Sequence, residues 1–249
     1  MIKKVATVLA AACLLALSLS AQDKKEKPWT EWSKKDTEKM LNDSPWGQTQ
    51  TVTDTSKMSY APTGSPAATG ASARGVSSDA SAVANGTATN QATGVKYRIR
   101  LFSSRPIRQA LARLVMLNMS QPNKDVEERL RSFAELQSNE HIIVAVTFES
   151  NDQRYGNVAM RTFNGATTAT LKNTTYLERS DGKRVFLEEY VPPGKDGFGA
   201  RFIFPRMLGE LPFITSDAGE VKFTSVLDKI ELNMRYKVSK MNYNDALEY

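Results

Sequence analysis

Between residues 61 and 94, about three quarters of the positions are Ala, Gly, Ser or Thr, with no aromatic residue and hardly any charge. Such a stretch offers too little apolar surface to offset the entropy of ordering it, so it is expected to be disordered and to belong to no core. Whatever folds must come from its flanks. The C-terminal flank, residues 95–249, has the length of one ordinary domain. Pro62 and Pro66 stiffen the start of the segment. Two other readings stand beside a plain linker over 47–94: an O-glycosylated stalk, and an insertion between two strands that pair with each other. The second rests on the alternation of Thr49, Thr51 and Thr53 with Gln50 and Val52, an edge-strand pattern that would lie beside the strand beginning at Val95.

At the start of the chain, Lys3 and Lys4 precede an apolar run from Val5 to Leu17 and a small-residue exit at Ser18 to Ala21. These are the three parts of a secretory signal peptide, so export to the periplasm or the extracellular space is expected, with a boundary near residue 21. Cys13 is the only cysteine. A lipid-anchored cysteine should close the apolar run, whereas Leu14, Leu15 and Leu17 continue it, which reads Cys13 as an ordinary leader residue. The run is shorter than the roughly 20 residues that span a bilayer, and no membrane span is expected once the leader is gone. Of 33 Lys and Arg, two lie in the leader; the remaining 31 against 27 Asp and Glu leave a net charge of +4, too little for nucleic acid.

All three tryptophans, Trp29, Trp32 and Trp46, fall in the stretch WTEWSKKDTEKMLNDSPW. Ser33 and Asp36 have capping-box spacing, and Ser44-Pro45 is a stop, which predicts a helix from 34 to 42 or 43. Trp32 and Met40, eight residues apart, are expected on one face with Leu41 beside them. A helix this short is marginal alone. The set Trp29, Trp32, Met40, Leu41 and Trp46 therefore reads as a docking element over 22–46, either a strap on the protein's own domain or a hook for an envelope protein.

The pattern W-T-x-W-S, a charged helix and S-P-W resembles the start of an uncharacterised family of secreted bacterial proteins. Val191-Pro192-Pro193, the run from Phe198 to Arg206 and Val238-Ser239-Lys240-Met241 share the likeness. The resemblance implies export and carries neither a fold nor an activity.

From Val95 onward the periodicities are clear. Val95, Tyr97, Ile99 and Leu101 alternate with Lys96, Arg98 and Arg100, predicting a strand with one buried and one cationic, solvated face. Helices follow over 105–118, capped by Ser104, and over 125–137, with Val126, Leu130, Phe133 and Leu136 inward. The run 142–148 is apolar on both faces and predicts a central, covered strand. The stretch 156–172 reads as a loop with a helical turn or two. Strands over 176–179 and 185–190 flank Asp181-Gly182, and others lie at 200–204, 221–227 and 230–238. Strand, two helices and a run of antiparallel strands predict an α+β domain, with a sandwich bearing inserted helices as the alternative.

His141 stands alone, so no histidine pair, triad or zinc set can be assembled; it reads as a polar strand-edge residue. The glycines from Gly194 to Gly199 lead into a strand instead of a helix, which favours a hairpin loop over a phosphate loop. Glu188 and Glu189 should point to opposite faces of one strand and cannot act as an acid and base pair. Arg98, Arg100, Arg105, Arg108 and Arg113 form a local excess of positive charge, by default a solvated face and otherwise a patch for an anionic envelope polymer. No cofactor or metal is expected. The sum is an exported envelope module that binds or has a structural role; a hydrolase and an adaptor docking through its tryptophan helix are the alternatives.

Overall fold

The structure is a computed structural model and describes residues 27–54, 93–121, 123–137 and 140–249; the leader and most of the low-complexity segment lie outside these residues. The chain divides into a unit ending at Trp32 and a unit from Ser33 to Tyr249. In the first, Trp29–Glu31 form one 3-10 turn after Pro28, and the Trp32 indole donates to the Lys27 carbonyl at 3.0 Å. Trp29 and Trp32 are half-buried.

The second unit is α+β, as its order of strand, helices and antiparallel strands predicts. It opens with α1, Lys34–Asn42, held by the expected capping box between Ser33 and Asp36. Its buried face is Thr37 and Leu41, one turn apart, while Met40 is half-buried. Trp32 has extended backbone geometry and precedes the cap, so it does not share a helical face with Met40 as the eight-residue spacing implied.

One sheet carries β1 (Asp43–Ser44), β2 (Gly47–Asp54), β3 (Thr93–Leu101), β4 (His141–Ser150), β7 (Glu189–Val191) and β8 (Ala200–Pro205) in the order β1-β2-β3-β4-β8-β7, all antiparallel. β2 pairs with β3 along its whole length, from Gly47 opposite Arg100 to Asp54 opposite Thr93. Residues 47–54 thus belong to the sheet, and the linker placed at 47–94 shortens at both ends. The insertion reading is the one that accounts for this pairing. Threonines suit the exposed, pleated face on which Thr49, Thr51 and Thr53 lie, and the pairing satisfies main-chain groups that a linker would leave to water. β4 lies between β3 and β8 and buries Ile142, Val144 and Val146, as its unbroken apolar run predicts.

A second sheet has the order β12-β11-β5-β6, with β5 Tyr176–Arg179, β6 Arg184–Phe186, β11 Glu220–Leu227 and β12 Ile230–Lys237. Two short hairpins complete the strands: β9 (Met207–Leu208) pairs with β10 (Leu211–Pro212), and β13 (Asn242–Tyr243) with β14 (Ala246–Leu247). The strand expected at 185–190 is two strands. The Leu187 N–H donates to Thr175 O and the Glu188 N–H to Ile203 O, so the chain changes sheets there. Leu187 and Tyr190 are both buried, which explains why the stretch reads as one continuous strand. The sheets stack through Phe223, whose ring centroid is 5.4 Å from Phe202 and 6.1 Å from Phe204. Each such phenylalanine, fully buried, contributes about 1.5 to 3 kcal/mol. The edges also meet: the Gln50 amide donates to Glu231 O at 2.6 Å and accepts from Asn233 N–H at 2.9 Å, satisfying β12 at the end of the sheet order among the described residues.

Helices α2 (Arg105–Asn118) and α3 (Lys124–Glu135) pack on each other, and α1 packs on α2. The Ser104 hydroxyl donates to Leu101 O and does not cap α2, whereas Asn123 caps α3. Leu136, expected inward, is 59% exposed because α3 ends at Glu135. The stretch expected to be a loop is helical: α4 spans Gln153–Gly165 and α5 Thr168–Leu171. Gly156, Val158 and Thr162 have weak helix propensity and obscure the pattern, but Asp152 caps α4 and Ala159 and Phe163 bury at i, i+4 spacing. Phe163 stacks on Phe148 at 5.1 Å and lies 6.2 Å from Tyr97, covering β3 and β4 where Tyr97 and Phe148 pair. The Tyr190 hydroxyl donates to Phe163 O at 2.7 Å.

Candidate functional site

Ser44 sets the first element of the site. Its hydroxyl donates to Met40 O at 2.6 Å and accepts from the N–H groups of Trp46 and Gly47, fixing the turn between α1 and β2. That turn drives the Trp46 indole inward to 4% exposure. Its Nε1 donates to Glu248 O at 2.8 Å, and its ring meets Tyr243 edge-on at 6.1 Å. Of the five docking candidates, Leu41 and Trp46 are buried, and Met40, Trp29 and Trp32 are half-buried.

The arginines are dispersed instead of forming one solvated face. Arg100 lies under the end of α1, donating through Nε to Leu41 O at 3.0 Å and through Nη2 to Asn42 Oδ1 at 2.9 Å. A cation suits the partial negative charge of a helix C-terminus. Burial, aided by neighbouring Arg98, pulls the Arg100 pKa down to about 10. The cationic face expected of β3 is therefore partly covered. Arg98 pairs with Glu149 at 2.7 Å, and Arg113 is half-buried on α2.

Arg105 and Arg108 converge at the start of α2. The Arg105 guanidinium lies 3.0 Å from one Glu248 carboxylate oxygen, and the Arg105 main-chain N–H donates to the other at 3.3 Å. Glu248 thereby supplies the helix-terminal anion that Ser104 does not. Arg108 is buried and donates to the carbonyls of Ser103 and Leu136. Arg206, just past β8, stacks 3.8 Å above the Tyr249 ring and donates to Tyr249 O at 2.9 Å. Between them lies a cleft of about 200 Å³ lined chiefly by Arg105, Arg108, Arg206, Gln137, Glu248 and Tyr249. Two of the five predicted arginines are thus joined by one that sequence reasoning missed. Arg206 and Glu248 carry no local signal, since both are remote in sequence from α2.

His141 opens β4, its Nε2 3.5 Å from the Glu188 carboxylate, and is half-exposed. Glu188 sits at the crossing between the sheets and precedes β7, so it is not in one strand with Glu189. The Gly194 to Gly199 loop joins β7 to β8 as a hairpin, and Phe198 from it stacks on Phe133 of α3 at 5.6 Å. Asp196 in that loop is held below the usual carboxylate range by Arg201, 2.5 Å away, and by the Phe198 N–H. Asp217 is held low by the Thr215 hydroxyl. Both are structural acids of surface turns.

Among the described residues no helix is long and apolar enough to cross a membrane, and no group of three or more His, Cys, Asp or Glu is placed to hold a metal ion. Comparison with family models, with characterised proteins and with solved structures finds no match to this chain.

Proposed function

We propose that this chain is an exported module of the bacterial cell envelope with a binding or structural role, and that the part of its tryptophan segment from Ser33 to Trp46 is built into that module. The supporting observation is Trp46, whose indole is buried on Tyr243 and spends its N–H on Glu248 O. An adaptor would hold that side chain out for a partner. A strap consumes it. The leader composition of residues 1–21 supports export. Fractionation of bacteria producing the chain with a C-terminal tag tests the proposal. The tagged product should appear in the periplasmic, envelope or medium fraction, lighter by the leader, while a version starting at Gln22 should stay in the cytoplasm. Full-length, unprocessed product confined to the cytoplasm would contradict it.

A further inference from the structure

Three guanidiniums, those of Arg105, Arg108 and Arg206, line the cleft at the start of α2 against two carboxylates, the Glu248 side chain and the main-chain carboxylate of Tyr249, an excess of one positive charge in the lining. Arg105 is matched by Glu248, and Arg206 by the Tyr249 ring and an oxygen of its main-chain carboxylate. Arg108 is different. It is only 3% exposed, its two terminal nitrogens meet neutral carbonyls, and its Nε has no acceptor among the described residues. Its pKa is lowered by burial, with Arg105 and Arg206 acting in the same direction and Glu248 and Glu135 opposing them. A buried cation without a full countercharge is costly, and a neutral carbonyl offsets less of that cost than an anion does. The cleft exceeds the roughly 30 Å³ that one water occupies in the liquid several times over. That volume is enough for a small oxyanion.

We propose that this cleft is a binding site for a small oxyanion, a phosphate or a phosphate-like group, held by Arg108 and Arg206 beside the Arg105–Glu248 pair. Guanidinium donors match such oxygens in geometry and charge. Glu248 is then a resident competitor: its carboxylate satisfies Arg105 and the helix terminus and repels the incoming anion. Such a site is independent of export, being a property of the folded chain in any compartment.

Calorimetric titration of the full chain with inorganic phosphate, at an ionic strength matched with chloride, tests it. Saturable binding at one site is expected. Arg206→Gln should weaken it about tenfold, the loss of one charge-assisted hydrogen bond. Glu248→Gln should strengthen it, a change that damage to the fold cannot imitate. Anionic phospholipid vesicles form a second arm: binding that phosphate displaces identifies a lipid headgroup as the source, and phosphate binding without vesicle binding identifies a soluble one. No saturable phosphate binding by the folded chain would overturn the proposal. So would phosphate binding that neither variant changes.

Discussion

Replacing Trp46 with alanine is expected to cost about 3 to 5 kcal/mol of unfolding free energy, the usual range for emptying a buried aromatic site. The indole is 4% exposed, packs edge-on against Tyr243 and donates to Glu248 O, so its removal opens a cavity and leaves a partly buried carbonyl without its partner. Trp46→Phe separates the two effects: the ring contact largely survives, and the lost donor alone should cost about 1 to 2 kcal/mol. Urea unfolding followed by circular dichroism gives both values. An alanine variant within about 1 kcal/mol of the parent would mean that the indole contributes little to holding the segment.

Gly199→Ala should be comparably damaging, for a reason of backbone geometry. Gly199 has φ of +82°, and a Cβ at that position would fall 2.2 Å from Val146 O and 2.7 Å from Thr147 Cγ2, in the neighbouring central strand. Neither β4 nor the start of β8 can yield without breaking the pairing of Ala200 with Val146. Two residues earlier, Gly197 has φ of +76°, but a methyl group there would meet nothing within 4 Å. Gly197→Ala therefore isolates the left-handed conformation, worth about 1 to 2 kcal/mol. Gly199→Ala adds the clash and should exceed about 3 kcal/mol. Equal losses for the two variants would show that the close approach to Val146 does not matter.

Those two sites mark what the sequence made legible. The periodic strands and helices, the capping box at Ser33 and the hairpin character of the Gly194 to Gly199 loop all rest on patterns within a few residues, and they appear where the patterns lie. The element from 153 to 165 is obscured because Gly156 and two β-branched residues weaken its helical signal, while its stability comes from packing Phe163 on Phe148 and Tyr97. The crossing at Leu187 is hidden for a related reason: an apolar run does not say which sheet each residue enters. The cleft is least legible of all. Charge density points to five arginines near one another in sequence, but tertiary structure sends Arg100 under α1, pairs Arg98 with Glu149, and brings in Arg206 and Glu248 from far along the chain. Only Arg105 and Arg108, one turn apart on α2, stay together.

The central claim is that residues 34–54 and 93–249 are one folded unit, joined by β2 on β3, by α1 on α2 and by Trp46 on the 243–248 region. A chain carrying a single protease site within 61–92, cut after folding and passed over a sizing column, tests it most directly. The two pieces should elute together as one species, separate only in denaturant, and keep the Trp46 fluorescence shielded from quencher. A C-terminal piece that elutes alone, compact and with the unfolding transition of the uncut chain, would contradict the claim.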